Sequence, residues 1–490
     1  MKKFGFILIL FTLVISLQHN LPATAQAPSG TWTSSISCQN QDLDNPATVG
    51  LLFYAEGSDT GGVPITGQDT IPAGKSINFV IESAPTGAKG SVVVSSDKPV
   101  TCSTEHSKKT SGTLASPYRF AASKGFDDTE IGPTMYVSQV ETKFYGWESY
   151  IAIQNTSGSP VEVKVTFVSR TGTPYDLLDE FTIPASSNHM VYLNEVTGLP
   201  YRFIGGATIT ALDGTTPLAV TTAFYNTGSN SSTSQIHAWN GSSKGSNILY
   251  APYLVRNYYG YQSGITIQNV GTNATSFKIT YTFNGRNYVY QYPSTLANGE
   301  VKDFYLPNVS VLRPVDGFTV QKRFGKAVIE ATNPDGTPNL AGELIANINQ
   351  DNRGGAGIPV ERAGQGATYG AFPSNAGSNT AYIAKWMRNV GGFSSGFNVS
   401  NFSDTSVANC AFTFVDDADA NFTRTIAANS DFSIWAPNVA YLNNDYNAGV
   451  IIECDSEVFV ITNAAANPGS GKYGDSFYQL EAGTPPLPSP

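Results

Sequence analysis

The residues able to do chemistry are few and scattered. After the first twenty-five residues the histidines are His106, His189 and His237, and none stands at metal-ligand spacing from another histidine or a cysteine. The stretch "DKPVTCSTEH" sets Cys102 four residues ahead of His106, a spacing that puts a thiol and a base on one face of a strand. Cys102 has a better use as half of a disulfide, as argued below. No HExxH or P-loop sequence is present, and no GxSxG or GxGxxG spacing stands in a strand-to-helix context. The acidic run "DDADAN" contains Asp417, Asp419 and Asn421 at the D-x-D-x-N spacing that brings oxygens to a calcium ion. It lacks the glycine and distal glutamate of an EF-hand, so a solvated turn stands beside calcium as its alternative. No other cofactor is expected, and no set of residues points to an enzyme.

Aromatic side chains give the remaining signal. Trp147, Tyr259, Tyr261 and Trp386, with Tyr145 and Tyr258, fall within a phrase that recurs along the chain. Such rings stack on sugars in carbohydrate-binding sandwiches, or they fill a joint between repeating units. The recurrence of the phrase favours the joint.

The elements that must position these residues are strands, and they repeat. "SISCQNQDL", "YIAIQNTSG", "GITIQNVG" and "GFNVSNFSD" each contain a strand closed by an asparagine: Asn40, Asn155, Asn269 and Asn401, at spacings of 115, 114 and 132. Three landmarks follow each asparagine in the same order: an alternating strand ending in Phe, an "IPAGKSINF"-like segment, and a pair of strands of the "GATITALDGTTPLAV" kind, expected as a hairpin. The strands are short, alternate with period 2 and are broken by Gly, Pro, Asn and Asp. That pattern predicts an all-β chain of four tandem immunoglobulin-like β-sandwich domains. The expected limits are 26–112, 113–236, 237–362 and 363–481, with a Pro-rich tail over 482–490.

Between these units runs another phrase: "TMYVSQVETKFYGWES", "ILYAPYLVRNYYGYQS" and "TAYIAKWMRNVGGFSS", with "KYGDSFYQLEAG" after the fourth. It either closes the unit it follows or opens the unit it precedes. In the second case the first unit lacks a strand, the last strand has no partner, and strand donation would build a fibre. The run "APYLVRNYYGYQSGITIQNVG" resembles a repeat found in uncharacterised exported β-sandwich proteins of filamentous, Chloroflexota-like bacteria. The resemblance covers nearly the whole chain after the leader and implies a scaffold and a location, without an activity.

Alternation places Ile151, Ile153, Ile265, Ile267, Phe397 and Val399 inward. Cys38 takes the place of Ile153, and Cys102 that of Val220 and Val460. Cys410 takes the place of Val163 and Ile279, and Cys454 that of Ala211 and Ala331. Two core positions change together within one unit each time, which predicts disulfides Cys38–Cys102 and Cys410–Cys454. Closing about 64 residues stabilises by about 4 kcal/mol through chain entropy. Only the terminal units carry a disulfide, as would suit units with one neighbour instead of two.

The compartment follows from the leader. Lys2 and Lys3 precede the apolar run "FGFILILFTLVISL", and Ala23-Thr24-Ala25 supplies a cleavage site, so residues 1–25 read as a signal peptide and Gln26 as the mature start. The run is too short for a membrane span. The net charge is −10 for the whole chain, and loss of the two lysines makes it more acidic. An acidic, lysine-poor surface argues against nucleic acid and anionic lipid. The expected protein is secreted to the extracellular space or cell surface. It is structural or adhesive there, with surface or matrix components, polysaccharide or itself as partners. A carbohydrate-binding protein is the alternative.

Overall fold

The computed structural model describes residues 6–9, 32–81, 89–108, 110–226, 234–355, 357–475 and 477–485, and nearly all regular structure among them is antiparallel strand. The cleavage site, residues 23–25, and the tail from 486 onward lie outside the described residues.

The stretch around Asn155 shows the plan. Its strands in order are Thr134–Thr142, Trp147–Asn155, Val161–Ser169, the short pieces Pro174–Tyr175 and Phe181–Ile183, Asn188–Tyr192, Phe203–Ala211, Leu218–Asn226 and Ile236–Asn240. Counting the short pieces as the fourth strand, one sheet runs fourth, third, sixth, first, and the other runs fifth, second, seventh, eighth. The sixth and seventh strands, expected as a hairpin, therefore lie in different sheets and pair with other partners. In the repeat that ends the chain they are two halves of one long strand, Asn447–Ala466, whose halves join different neighbours.

The same pairing recurs in each repeat segment. The all-β sandwich stands. The strand order is not the immunoglobulin one, in which the second strand pairs with the first and fifth; here it lies between the fifth and the seventh. Every predicted inward isoleucine, with Phe397 and Val399, is buried. The third segment departs in one detail: its third strand is displaced by two residues, so Phe277, and not Ile279, faces Ala331. A slip of two keeps every side chain on its own face, which is why it is tolerated.

Both disulfides form as paired. Cys38 lies directly opposite Cys102 and Cys410 opposite Cys454 on neighbouring strands of one sheet, with Cα atoms 4.1 and 4.0 Å apart. That is the close, non-hydrogen-bonded kind of antiparallel pair.

The phrase between units opens the unit it precedes. Thr134–Thr142 pairs with Phe203–Ala211, Ile248–Tyr258 with Phe324–Thr332, and Ser378–Met387 with Asn447–Ala466. The last strand, Phe477–Glu481, is nevertheless not spare. It pairs with Asn447–Ala466 as the eighth strand, the role of Phe120–Lys124, Ile236–Asn240 and Gln365–Gly370 earlier. Strand pairing thus runs past the expected limits at 112, 236 and 362, and the terminal donor strand does not exist as a free element.

The repeat segments close into a ring. The four eighth strands pack side by side around its centre, each against two others. Around the rim Asn188 Nδ2 donates to Tyr54 O at 2.9 Å and to Ser91 Oγ at 3.1 Å. Gln139 Oε1 accepts from Thr266, Asn347 and Asn349. Lys326 Nζ donates to Asn401 O at 2.8 Å. The last segment then meets the first, through Lys385–Glu105 at 2.5 Å and Lys75–Asp416 at 2.6 Å. The terminal segments therefore have two neighbours each, and a missing neighbour does not explain why they carry the disulfides.

Candidate functional site

The asparagine that closes each second strand is structural. Asn155, fully buried, donates its Nδ2 to Ser159 O at 2.7 Å, Ile183 O at 3.2 Å and Pro184 O at 3.1 Å. Its Oδ1 accepts the N–H of Ser157 at 2.9 Å. Asn40, Asn269 and Asn401 bind the same way, each holding the following loop and the end of the fourth strand or, for Asn269, the stretch just after it. A buried amide with donor and acceptor both used explains why the residue recurs.

The aromatics of the recurring phrase do not form one surface. Trp386 is fully buried, between Phe397 and Phe414 in the core of the last segment. Trp147 is half-buried, edge-on to Phe224 and His237. Tyr261 packs on Phe477 and donates its hydroxyl to Gln365, both outside its own second strand. Burial excludes Trp386 as a sugar platform, and Trp147 and Tyr261 are partly covered by the groups they pack on. Tyr259 is different: it is 38% exposed, in the left-handed region at φ 50°, with the Arg362 guanidinium 5.5 Å from its ring centre. Tyr145 repeats that geometry at φ 51° and 68% exposure, with Arg202 over its ring at 4.3 Å. Both sit in the turn between first and second strands, and are not at the handover between segments.

The acidic run does not gather oxygens. Asp417 is buried and accepts the N–H of Asn443 at 2.7 Å, while Asn421 Oδ1 accepts the N–H of Phe414 at 2.7 Å. Asp419 points to solvent in a short 3-10 turn. Two of the three expected ligands thus serve the backbone. Among the described residues no group of three or more His, Cys, Asp or Glu side chains is placed to hold a metal ion.

Sequence reasoning missed the polar groups at the ring centre and its joints. Asp475, fully buried, accepts the N–H of Ile236 at 2.7 Å and of Gly366 at 2.8 Å, tying three segments together. Burial pushes its carboxyl well above the usual range. Glu105 takes Lys385 on one oxygen and the Tyr478 hydroxyl on the other at 2.9 Å. Lys124 pairs with Glu130, and Glu481 accepts the N–H of Gly370 at 2.8 Å. His237 Nδ1 lies 3.0 Å from Thr368 Oγ1, a base beside a hydroxyl. Both are about 2% exposed and burial lowers the imidazole to about 3, so it is neutral and out of reach of a substrate. His106 is likewise buried, against Ser34 Oγ at 2.8 Å and with its pKa lowered to about 4 by burial, and Cys102 is bonded. Cavities at two joints hold about 50 and about 10 Å³, the larger lined by Trp239, Lys244 and Pro373 among others. Small-molecule sites need several hundred Å³.

Glycines mark where one segment presses on the next. A Cβ on Gly206 would meet Gln268 Nε2 at 2.4 Å, and one on Gly449 would meet Gln39 Nε2 at 2.7 Å. This was legible in the recurring "QN" pair, of which the asparagine serves its own segment and the glutamine the joint.

No family model matches the chain, and no curated protein matches it. Among solved structures it is similar to Thermotoga maritima 1070, at 11% identity over 26% of this chain and 96% of that one, with a TM-score of 0.19. The Anabaena sensory rhodopsin transducer follows at 15% identity over 17% and 93%, TM-score 0.14. Allantoicase from Saccharomyces cerevisiae stands at 9% over 43% and 72%, TM-score 0.12. These likenesses are too slight to carry a conclusion. No helix among the described residues is long and apolar enough to cross a membrane.

Proposed function

We propose that the chain is a non-catalytic extracellular protein, structural or adhesive in role, built from four tandem β-sandwich units and acting at the cell surface. The observation that supports it is where the ionisable groups go. Glu105, Lys326, Lys385, Asp475 and Glu481 are consumed in holding segments to one another, and Lys124 and Glu130 in a local pair where the chain leaves the first segment. Two disulfides suit an oxidising compartment, and the apolar leader suits export. Fractionation of intact cells with an antibody to the chain tests this: the protein is expected at the surface or in the medium, and recovery in the cytoplasm overturns it.

Carbohydrate binding is the second reading, and it rests on Tyr145 and Tyr259, each exposed beneath an arginine. A glycan array is expected to be blank. A hit abolished by Tyr259→Ala would move the assignment to a polysaccharide-binding protein. Trp147→Ala is the poorer probe, since Trp147 packs on Phe224 and its loss disturbs the core.

A further inference from the structure

We propose that the edge of strand Gly90–Ser96 is a strand-accepting slot that takes an extended apolar strand from another polypeptide once the leader is removed; this rests on the export proposed above. In three segments the first strand of the sheet is supplied in cis, by Thr134–Thr142, Ile248–Tyr258 and Ser378–Met387. In the first segment the same place beside Gly90–Ser96 is taken by the leader itself, Phe6–Ile9. The registers correspond: Ile7 lies opposite Val94 and Ile9 opposite Val92, as Met135 lies opposite Ile209 and Val137 opposite Ala207. Met135 and Val137 are fully buried core residues of their segment, and so are Val92 and Val94. The slot is therefore a core position.

The mature chain cannot fill it. Trp32 begins the second strand of its segment as Trp147 does in the next, since Cys38–Cys102 and Ile153–Val220 are corresponding pairs. Val137 lies 10 residues ahead of Trp147, whereas Ile9 lies 23 ahead of Trp32. A cut after Ala25 leaves only 6 residues ahead of Trp32. What remains is a sheet edge with unpaired N–H and C=O groups above a hydrophobic core, the kind of edge that captures a strand.

The neighbouring segment sets the chemistry of the strand. At the other three joints the first strand meets polar groups: Gln139 meets Thr266, Asn347 and Asn349, the Pro252 carbonyl meets Asn398 and Ser400, and Lys385 meets Glu105. By register, the positions of Thr266, Asn347 and Asn349 are held in the second segment by Ala152, Thr221 and Ala223. Two of the three are methyl groups. The occupant is thus apolar on its inward face, and just past the residue opposite Val92 it meets methyl groups, which selects an uncharged strand free of proline at positions that donate to the ladder. The leader sequence Phe6–Ile9, "FILI", has that composition.

The test uses the chain from Gln26 to Pro490 and a synthetic peptide carrying Phe6–Leu10 between lysine tails. Binding is expected at one peptide per chain with a rise in Tm of several degrees. A peptide with Asp in place of Ile7 and Ile9 is expected to bind at least ~10-fold more weakly, the fold-change that about 1.4 kcal/mol produces. In the full-length chain, Ile7→Asp with Ile9→Asp is expected to lower Tm, and the unaltered peptide to restore it. Equal binding of the two peptides, absence of binding, or a mature chain that light scattering shows as a dimer closing its own edge would each overturn the proposal. N-terminal sequencing of surface-recovered protein tests the export step separately. A Met1 start overturns leader removal, while the peptide titration still decides whether the edge accepts a strand.

Discussion

The interior of a sandwich and the joint between two of them bury equally well but differ in kind. Around Phe167, Phe203, Ile209 and Ile153 the interior is mostly apolar, with Thr222 bonded within its own sheet and Asn155 at the margin. At the joints burial falls on Gln139, Glu105, Lys326, Asn398 and Asp475, each hydrogen-bonded across segments. The interior supplies stability by removing apolar surface from water, which is insensitive to direction. The joint supplies geometry, because a buried amide or charge is tolerated only where its partners stand. A segment could shift on an apolar neighbour; it cannot shift off Asp475 without stranding a buried carboxyl group and two N–H groups.

The sharpest break in this contrast is Trp386→Ala. Removing the largest fully buried side chain of an interior should cost about 4 kcal/mol in chemical denaturation, with no change in the joints. Next is Glu105→Ala, which leaves Lys385 and the Tyr478 hydroxyl without their buried partner and should cost about 3 kcal/mol. Here the double variant Glu105→Leu with Lys385→Met is expected to recover most of the loss. An additive double variant would mean the joint is not a coupled ion pair. Small-angle scattering on Glu105→Ala should show a larger radius of gyration, since this contact joins the last segment to the first.

The third test is electrostatic. Glu141, buried on the first strand of the second segment, has its carboxyl raised to about 7, first by burial. Unfolded, it titrates near 4.5. Between those values the folded state holds the extra proton, so this group's contribution falls as pH rises from 4.5 through 7, by up to about 3 kcal/mol. Glu141→Gln should remove that slope, and a Tm against pH profile identical to the parent's would sink the assignment. Asn155→Ala follows at about 2 kcal/mol, from buried carbonyls left without a donor, and Asn269→Ala should match it. Smallest is Tyr259→Ala, expected within about 0.5 kcal/mol of the parent, because the ring is exposed and only its surface contacts to Arg362 and Gln321 are lost.

Much was legible in the residues alone because it is local. Period-2 alternation decides which side of a strand is apolar, so Ile151, Ile153, Phe397 and Val399 could be placed inside without a structure. Paired replacement of core positions gave both disulfides, because cross-strand neighbours occupy fixed places in a repeat. The recurring asparagine could be recognised, though its three carbonyl partners lie on another strand and a loop. The tertiary structure alone decided the rest. Whether "TMYVSQV" closes one unit or opens the next depends on which sheet edge is within hydrogen-bonding reach, and no periodicity encodes that. The sixth and seventh strands look like a hairpin because a turn sequence joins them, but which sheet each enters is set by packing across the sandwich. Whether an aromatic is a platform or a core residue is set by what lies over it, so Trp386 and Tyr259 could not be told apart by type. Ring closure is the extreme case: Glu105 and Lys385 stand 280 residues apart, and only the summed rotation of the segments between them brings the two charges together.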